Sequence, residues 1–221
     1  LTAQFGNLNI FMSWLQHYRT HYSALLNSNT SGAKRGLHEG LYCRADGFDL
    51  IFAQLESQNQ TQYHIVETGT LRNPGNWKDG QSARLFVEFV EHHSGTVRSV
   101  DIDPAAVNIA SAELPNACFA VSCSDSVTWL SNQNNLDQVD LFYLDSWDVK
   151  WHNDHDSAEH HLQEFLAIEP HIKSGCVVAI DDNARFLSDN SRTGKGRRIV
   201  EYLDQQGVQP IYDAYQIIYQ F

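Results

Sequence analysis

Apolar positions near the N-terminus recur at helical spacing, and from residue 62 they gather into short runs separated by amphipathic stretches. Leu8, Ile10, Phe11, Leu15, Tyr18, Tyr22 and Leu25 fall close to a 3.6-residue period, which predicts one helix over 5–26. A loop with Ser31, Gly32 and Gly36 follows, and Asp46-Gly47 opens a second helix over 48–58. Five short apolar runs then read as strands, at 63–67, 96–102, 118–123, 139–145 and 176–181. The intervening stretches 81–93, 104–113, 126–132 and 157–172 read as helices, the last introduced by the capping-box spacing of Asp156 and Glu159. Strands and helices in alternation imply a mainly parallel sheet covered on both faces. The end of the chain breaks the rhythm. After a helix over 197–205 and Gly207, the runs 208–212 and 216–221 are joined by Asp213-Ala214, too short a link for anything but antiparallel neighbours. The expectation is an α/β three-layer sandwich with seven strands, five of them parallel, closing in a hairpin.

Composition narrows the function. With 221 residues, 42% apolar and 19% charged, the chain suits a single domain, a helical extension over 1–60 and a core over 61–221. Fifteen Lys and Arg against 27 Asp and Glu give a formal charge of −12, which argues against nucleic acid as the main partner. The longest apolar runs, 50–53 and 176–180, fall far short of the roughly 20 residues that span a bilayer, so no membrane partner is expected. No signal peptide is visible, and a first residue other than Met points to trimming. Cys43, Cys118, Cys123 and Cys176 lack paired spacing and read as reduced core residues of a cytoplasmic protein rather than zinc ligands or disulfides.

Each parallel strand ends in polar residues: Glu67-Thr68-Gly69, Asp101-Ile102-Asp103, Ser124-Asp125-Ser126, Asp145-Ser146-Trp147 and Asp181-Asp182-Asn183. One such Asp is ordinarily a helix cap. Five in succession place a wall of carboxylates along the edge of the sheet where ligands bind. The first two ends suit a nucleoside: Gly69 permits close approach, and Asp101 can hold ribose hydroxyls. A pyrophosphate cofactor is disfavoured because GxGxxG is absent. The last two ends offer hard oxygen donors for Mg²⁺, Ca²⁺ or Mn²⁺ from Asp145, Asp181 and Asp182.

The motifs Val66-Glu-Thr-Gly69, Val100-Asp-Ile-Asp-Pro104, Tyr143-Leu-Asp-Ser-Trp147 and Ile180-Asp-Asp-Asn183, with the terminal hairpin, resemble those of class I S-adenosylmethionine-dependent methyltransferases over residues 60–221. Among these the chain is similar to the metal-dependent O-methyltransferases of the catechol and macrolide-sugar types. The resemblance implies a Rossmann-like fold and the cofactor S-adenosylmethionine, with Mg²⁺ or another divalent cation. It places Glu67 and Gly69 at the methionine end, Ser82 at the cofactor carboxylate, Asp101 at the ribose and Asp125 at the adenine amino group. Asp145, Asp181 and Asp182 become the metal ligands, with Asn183 in reserve. The catechol-type enzymes carry a base lysine three residues after the first metal Asp; here that position is Asp148. Lys150, His152 and His155 are then the candidate bases, and Asp145 with Lys150 and His152 the catalytic set. Trp147 is expected to wall the acceptor, and Arg197, in a basic segment over 184–198, to close over it as part of a lid. The expected partner is a small-molecule acceptor bearing a hydroxyl, in a chain that can form a homo-oligomer. A metal-dependent hydrolase or decarboxylase and a non-catalytic nucleoside-binding homologue are the competing readings.

Overall fold

The structure, a computed structural model, describes residues 12–30, 32–38 and 40–221. The first half of the helix expected over 5–26 lies outside these residues, as does Ser31. Within them the helix is two pieces, α1 (Trp14–His21) and α2 (Ser23–Leu26). The stretch expected as a loop instead forms a small antiparallel ribbon of β1 (Asn27–Thr30) and β2 (Leu41–Cys43). The second helix, α3 (Ala45–Ser57), starts earlier than expected, with Arg44 at its N-cap.

The core alternates as the periodicity predicts: β3 (Tyr63–Thr68), α4 (Ser82–His93), β4 (Gly95–Asp101), α5 (Pro104–Glu113), β5 (Phe119–Cys123), α6 (Ser126–Ser131), β6 (Leu141–Leu144), α7 (His155–Ile168) and β7 (Val177–Ile180). A second ribbon of β8 (Asn183–Arg185) and β9 (Arg192–Gly194) precedes α8 (Arg197–Asp204), and β10 (Tyr212–Asp213) and β11 (Ile217–Gln220) form the closing hairpin. The seven-stranded sheet runs β10-β11-β7-β6-β3-β4-β5, with β3 to β7 parallel and β11 antiparallel to β7. The expected Rossmann-like sandwich is therefore the observed fold. In its final hairpin both strands are shorter than expected, the first only two residues long, and the turn falls at residues 214–216.

Strand alternation explains the two layers. Ile65, Leu141 and Tyr143 face a core shared with α1, α3 and α4. Val66, Phe142 and Leu144 face the opposite core, shared with α7 and α8. Trp14 meets Phe52 and Phe89 edge to face, while those two rings stack on each other, and the trio anchors the N-terminal helices to the first layer. Asp103 caps α5, its carboxylate accepting from the Ala105 amide at 2.9 Å, with Pro104 in the first turn. α7 departs from the capping-box expectation. It begins at His155 after Asp154, whose side chain is engaged elsewhere. All four cysteines are free thiols, but only Cys176 is buried, and Cys123 is exposed, which corrects the reading of the set as core residues. Among the described residues no helix is long and apolar enough to cross a membrane.

Candidate functional site

The strand order reverses direction between β3 and β6, and an open cavity of about 830 Å³ lies over the carboxyl ends of the strands there. That is where open parallel sheets bind ligands, and the volume suits a nucleoside cofactor together with a small acceptor. Asp101, Asp125, Asp145, Trp147 and Asp182 all line it, as the strand-end pattern predicts. Thr70, also on the wall, has a buried hydroxyl with no protein partner, as a polar ligand would leave it.

The remaining expected cofactor residues stand behind this wall. Glu67 is buried and accepts the Ser99 hydroxyl at 2.8 Å. Burial pushes its carboxyl up to about 7, against the opposing hydrogen bonds of Ser82 and Ser99. Ser82 is thus a partner of Glu67 in the first turn of α4, beside a narrow crevice that adjoins the cavity. Gly69 has φ +81°, and a Cβ there would stand 2.6 Å from the Asp145 carbonyl oxygen. The glycine is required by the close approach of β3 to β6, not only by a ligand. Asp101 accepts the Asp103 amide at 2.8 Å, and its pKa is raised by burial. Asp125 caps α6 by accepting the Thr128 amide at 2.8 Å, which lowers its pKa.

At the other end of the cavity one ligand oxygen each from Asp145, Asp181 and Asp182 lie within 4.8 Å of one another. Asp182 has φ +55°, a left-handed residue that turns β7 sharply into the second ribbon. Three hard oxygen donors, with Asp181 Oδ1 buried and lacking any partner, fit a divalent cation. Two cations of the chain already share the cluster. Lys195 Nζ lies 2.5 Å from Asp145 Oδ1 and 2.8 Å from Asp182 Oδ2. Arg44 reaches Asp181 at 2.6 Å and Asp182 at 3.2 Å, and stacks on Tyr215, whose hydroxyl donates to Asp182. Against the push of burial, Lys195 and Arg44 hold the Asp182 carboxyl well below its ordinary value. Sequence reasoning missed both cations. Arg44 stands 137 residues from Asp181, and nothing local marks it.

A second group missed from sequence underlies the cavity floor. Glu164 is fully buried and accepts the hydroxyls of Thr68, Ser126 and Ser146 at 3.1, 2.5 and 2.6 Å. Burial opposes its charge, but His161, His160 and the Ser126 hydroxyl reverse this and hold it at about 2. Burial pushes the neighbouring His161 down to about 4. His160 bonds Ser126 at 2.8 Å, lines the cavity, and packs at 5.2 Å against the half-exposed ring of Trp147.

Three expectations are not met. Lys150, His152 and His155 are exposed and do not line the cavity; His152 packs on Phe186 instead. Arg197 does not reach the cavity either. Its guanidinium grips Asp154 with two hydrogen bonds of 2.9 and 3.0 Å and also pairs with Glu201. The segment read as a lid is the β8–β9 ribbon, held by Arg192 on Asp213 and by the Thr193 hydroxyl on the Trp151 carbonyl.

No protein-family model matches the sequence, and no curated protein sequence matches it. Among solved structures the fold is similar to CalS11, a TDP-rhamnose 3′-O-methyltransferase in calicheamicin biosynthesis. The TM-score is 0.54 at 14% identity, over 81% of this chain and 80% of that one. It is also similar to MycE, a methyltransferase from the mycinamycin biosynthetic pathway in complex with Mg and SAH. Here the TM-score is 0.51 at 15% identity, over 81% of this chain and 50% of that one. Against MycE with Mg, SAH and mycinamycin VI the TM-score is 0.44 at 18% identity, over 63% of this chain and 32% of that one. The chain thus spans half or less of the MycE chains it matches. The Rossmann-like fold is the one these methyltransferase structures share.

Proposed function

We propose that this chain is an S-adenosylmethionine-dependent methyltransferase acting on a hydroxyl of a small molecule. The observation that carries the reading is one cavity at the switch point with two chemically distinct ends. Asp101 and Asp125 stand at one, and the Asp145–Asp181–Asp182 cluster stands at the other. Asp101 has the position and charge to bind ribose hydroxyls. Trp147 and His160 form an aromatic wall beside Asp125 and Ser126, which supports a place for Trp147 against the base of a nucleoside. The unpartnered Thr70 hydroxyl supports a polar ligand between these ends.

When bound, S-adenosylmethionine supplies a methyl group already activated by its sulfonium. The chain aligns an acceptor oxygen with it, excludes water and receives the proton. Asp145 and Asp148, the latter paired with Arg72 at 2.9 Å, line the cavity and are assigned that proton in place of Lys150 and His152, which do not line it. Asp145, Asp181 and Asp182 would hold a divalent cation, which would acidify an acceptor hydroxyl. The sugar O-methyltransferase activity named for CalS11 supports a hydroxyl on a sugar-like acceptor.

Asp101→Ala is expected to weaken S-adenosylmethionine binding about 10- to 100-fold, the scale of charge-assisted hydrogen bonds of roughly 1.5–3 kcal/mol. Calorimetric titration of the folded variant is the test; unchanged affinity removes Asp101 from the site.

A further inference from the structure

We infer that Lys195 is the resident cation of the Asp145–Asp181–Asp182 cluster, and that a divalent ion enters only by displacing its ammonium. The inference rests on the cation reading of that cluster and not on methyl transfer.

The geometry is that of a built site. Lys195 is 1% exposed, and its Nζ touches Asp145 Oδ1, the Asp145 carbonyl at 3.3 Å and Asp182 Oδ2. A divalent ion sits about 2.0–2.6 Å from carboxylate oxygens. An ammonium 2.5 and 2.8 Å from two of the three carboxylates therefore fills the space the ion would need. The backbone pins the Lys195 main chain beside the cluster. The Lys195 amide donates to the Asp182 carbonyl at 3.1 Å, and the Gly196 amide donates to Asn183 Oδ1 at 2.7 Å. At Gly194, φ is +116° and a Cβ would stand 2.2 Å from the Asp182 carbonyl oxygen. The β9–α8 junction is pressed against the turn that carries Asp182, so the side chain of Lys195 is delivered to the cluster.

Charge balance gives the exchange its stoichiometry. Counted with all three carboxylates ionised, as a divalent ligand set would have them and against the burial that pushes Asp145 and Asp181 up, Lys195 and Arg44 leave one net negative charge in a buried site. A divalent ion added beside both cations would make the cluster net positive. One that replaces Lys195 while Arg44 stays leaves it neutral, the arrangement buried charge favours. Asp181 Oδ1, buried and without a partner, is the acceptor the ammonium does not satisfy and a metal would.

Titrating Mg²⁺ alone into the wild type and Lys195→Met by calorimetry tests this directly. The expected result is at least tenfold tighter binding to the variant. Equal or weaker binding to the variant, or binding to neither protein, overturns the inference. The second outcome would leave the cofactor site untouched, because S-adenosylmethionine binding is read separately. Should Lys195→Met fold only with Mg²⁺ present, that rescue is itself the expected effect. Should it not fold at all, amine labelling of Lys195 in the wild type, read by mass spectrometry, decides. Labelling that rises at saturating Mg²⁺ supports displacement, and labelling that stays flat overturns it.

Discussion

Glu67→Gln should stabilise the protein at pH 8 and leave it unchanged near pH 4. Glu67 is 1% exposed, and its nearest partners are the hydroxyls of Ser99 and Ser82 rather than a cation. Its carboxyl is held protonated up to about 7, whereas in the unfolded chain it ionises near 4.5. Between those values the folded state binds more protons than the unfolded one. Stability therefore falls as pH rises through this window, and the loss is complete above about 7. About 2.5 pKa units at 1.36 kcal/mol each put the loss at about 3 kcal/mol. Glutamine keeps an acceptor for Ser99 and carries no charge, so it removes the penalty without opening a cavity. The assay is thermal or urea unfolding of wild type and variant, free of ligand, from pH 4 to 8. The two curves should coincide at pH 4 and diverge to about 3 kcal/mol at pH 8, roughly 6–12 °C in Tm for a chain of this size. A difference that is the same at both ends, or a variant less stable at pH 8, would refute the assignment of a neutral buried carboxyl to Glu67.

Gly69→Ala should cost about 2–4 kcal/mol in denaturant unfolding, from left-handed strain and from overlap with the Asp145 carbonyl. A loss below about 1 kcal/mol would mean that β3 and β6 are not so closely apposed. Arg197→Ala should lower stability by about 1–2 kcal/mol, as two charge-assisted bonds to Asp154 are lost, with no change in the Michaelis constant for an acceptor. A raised Michaelis constant at unchanged stability would restore Arg197 to the acceptor site. Acid should destabilise the protein by way of the floor of the cavity. Glu164, held at about 2, contributes stability that is present above the ordinary glutamate range and lost as pH falls toward 2. Glu164→Gln should flatten the acid limb of stability between pH 4.5 and 2; an unchanged limb would contradict the network.

The sheet was legible because the central strands β3, β6 and β7 are buried on both faces and so read as short apolar runs, and because every parallel strand end carries its own polar signature. The edge was harder. The strand expected at 208–212 shrinks to two residues, since an edge strand has only one neighbour to enforce its pairing. Asp101, Asp125, Asp145 and Asp182 were legible as cavity residues because strand order alone brings them together. What depended on partners distant in sequence was not. The basic cluster around Lys195 looked like a mobile lid from composition, yet Lys195 is buried on Asp145, 50 residues away, and Arg197 is spent on Asp154. Asp154, at the N-cap of α7, turns its side chain to that contact instead of capping, and the capping-box spacing two residues later placed the helix start at 157 rather than 155.

Methyl transfer by this chain requires that the cavity bind a sulfonium nucleoside. Titration calorimetry with S-adenosylmethionine and with its demethylated product, on the wild type and on Asp101→Ala, measures this without knowledge of the acceptor. The expected result is one site that binds both ligands and weakens about 10- to 100-fold in the variant. Binding of neither ligand by a folded wild-type protein would contradict it.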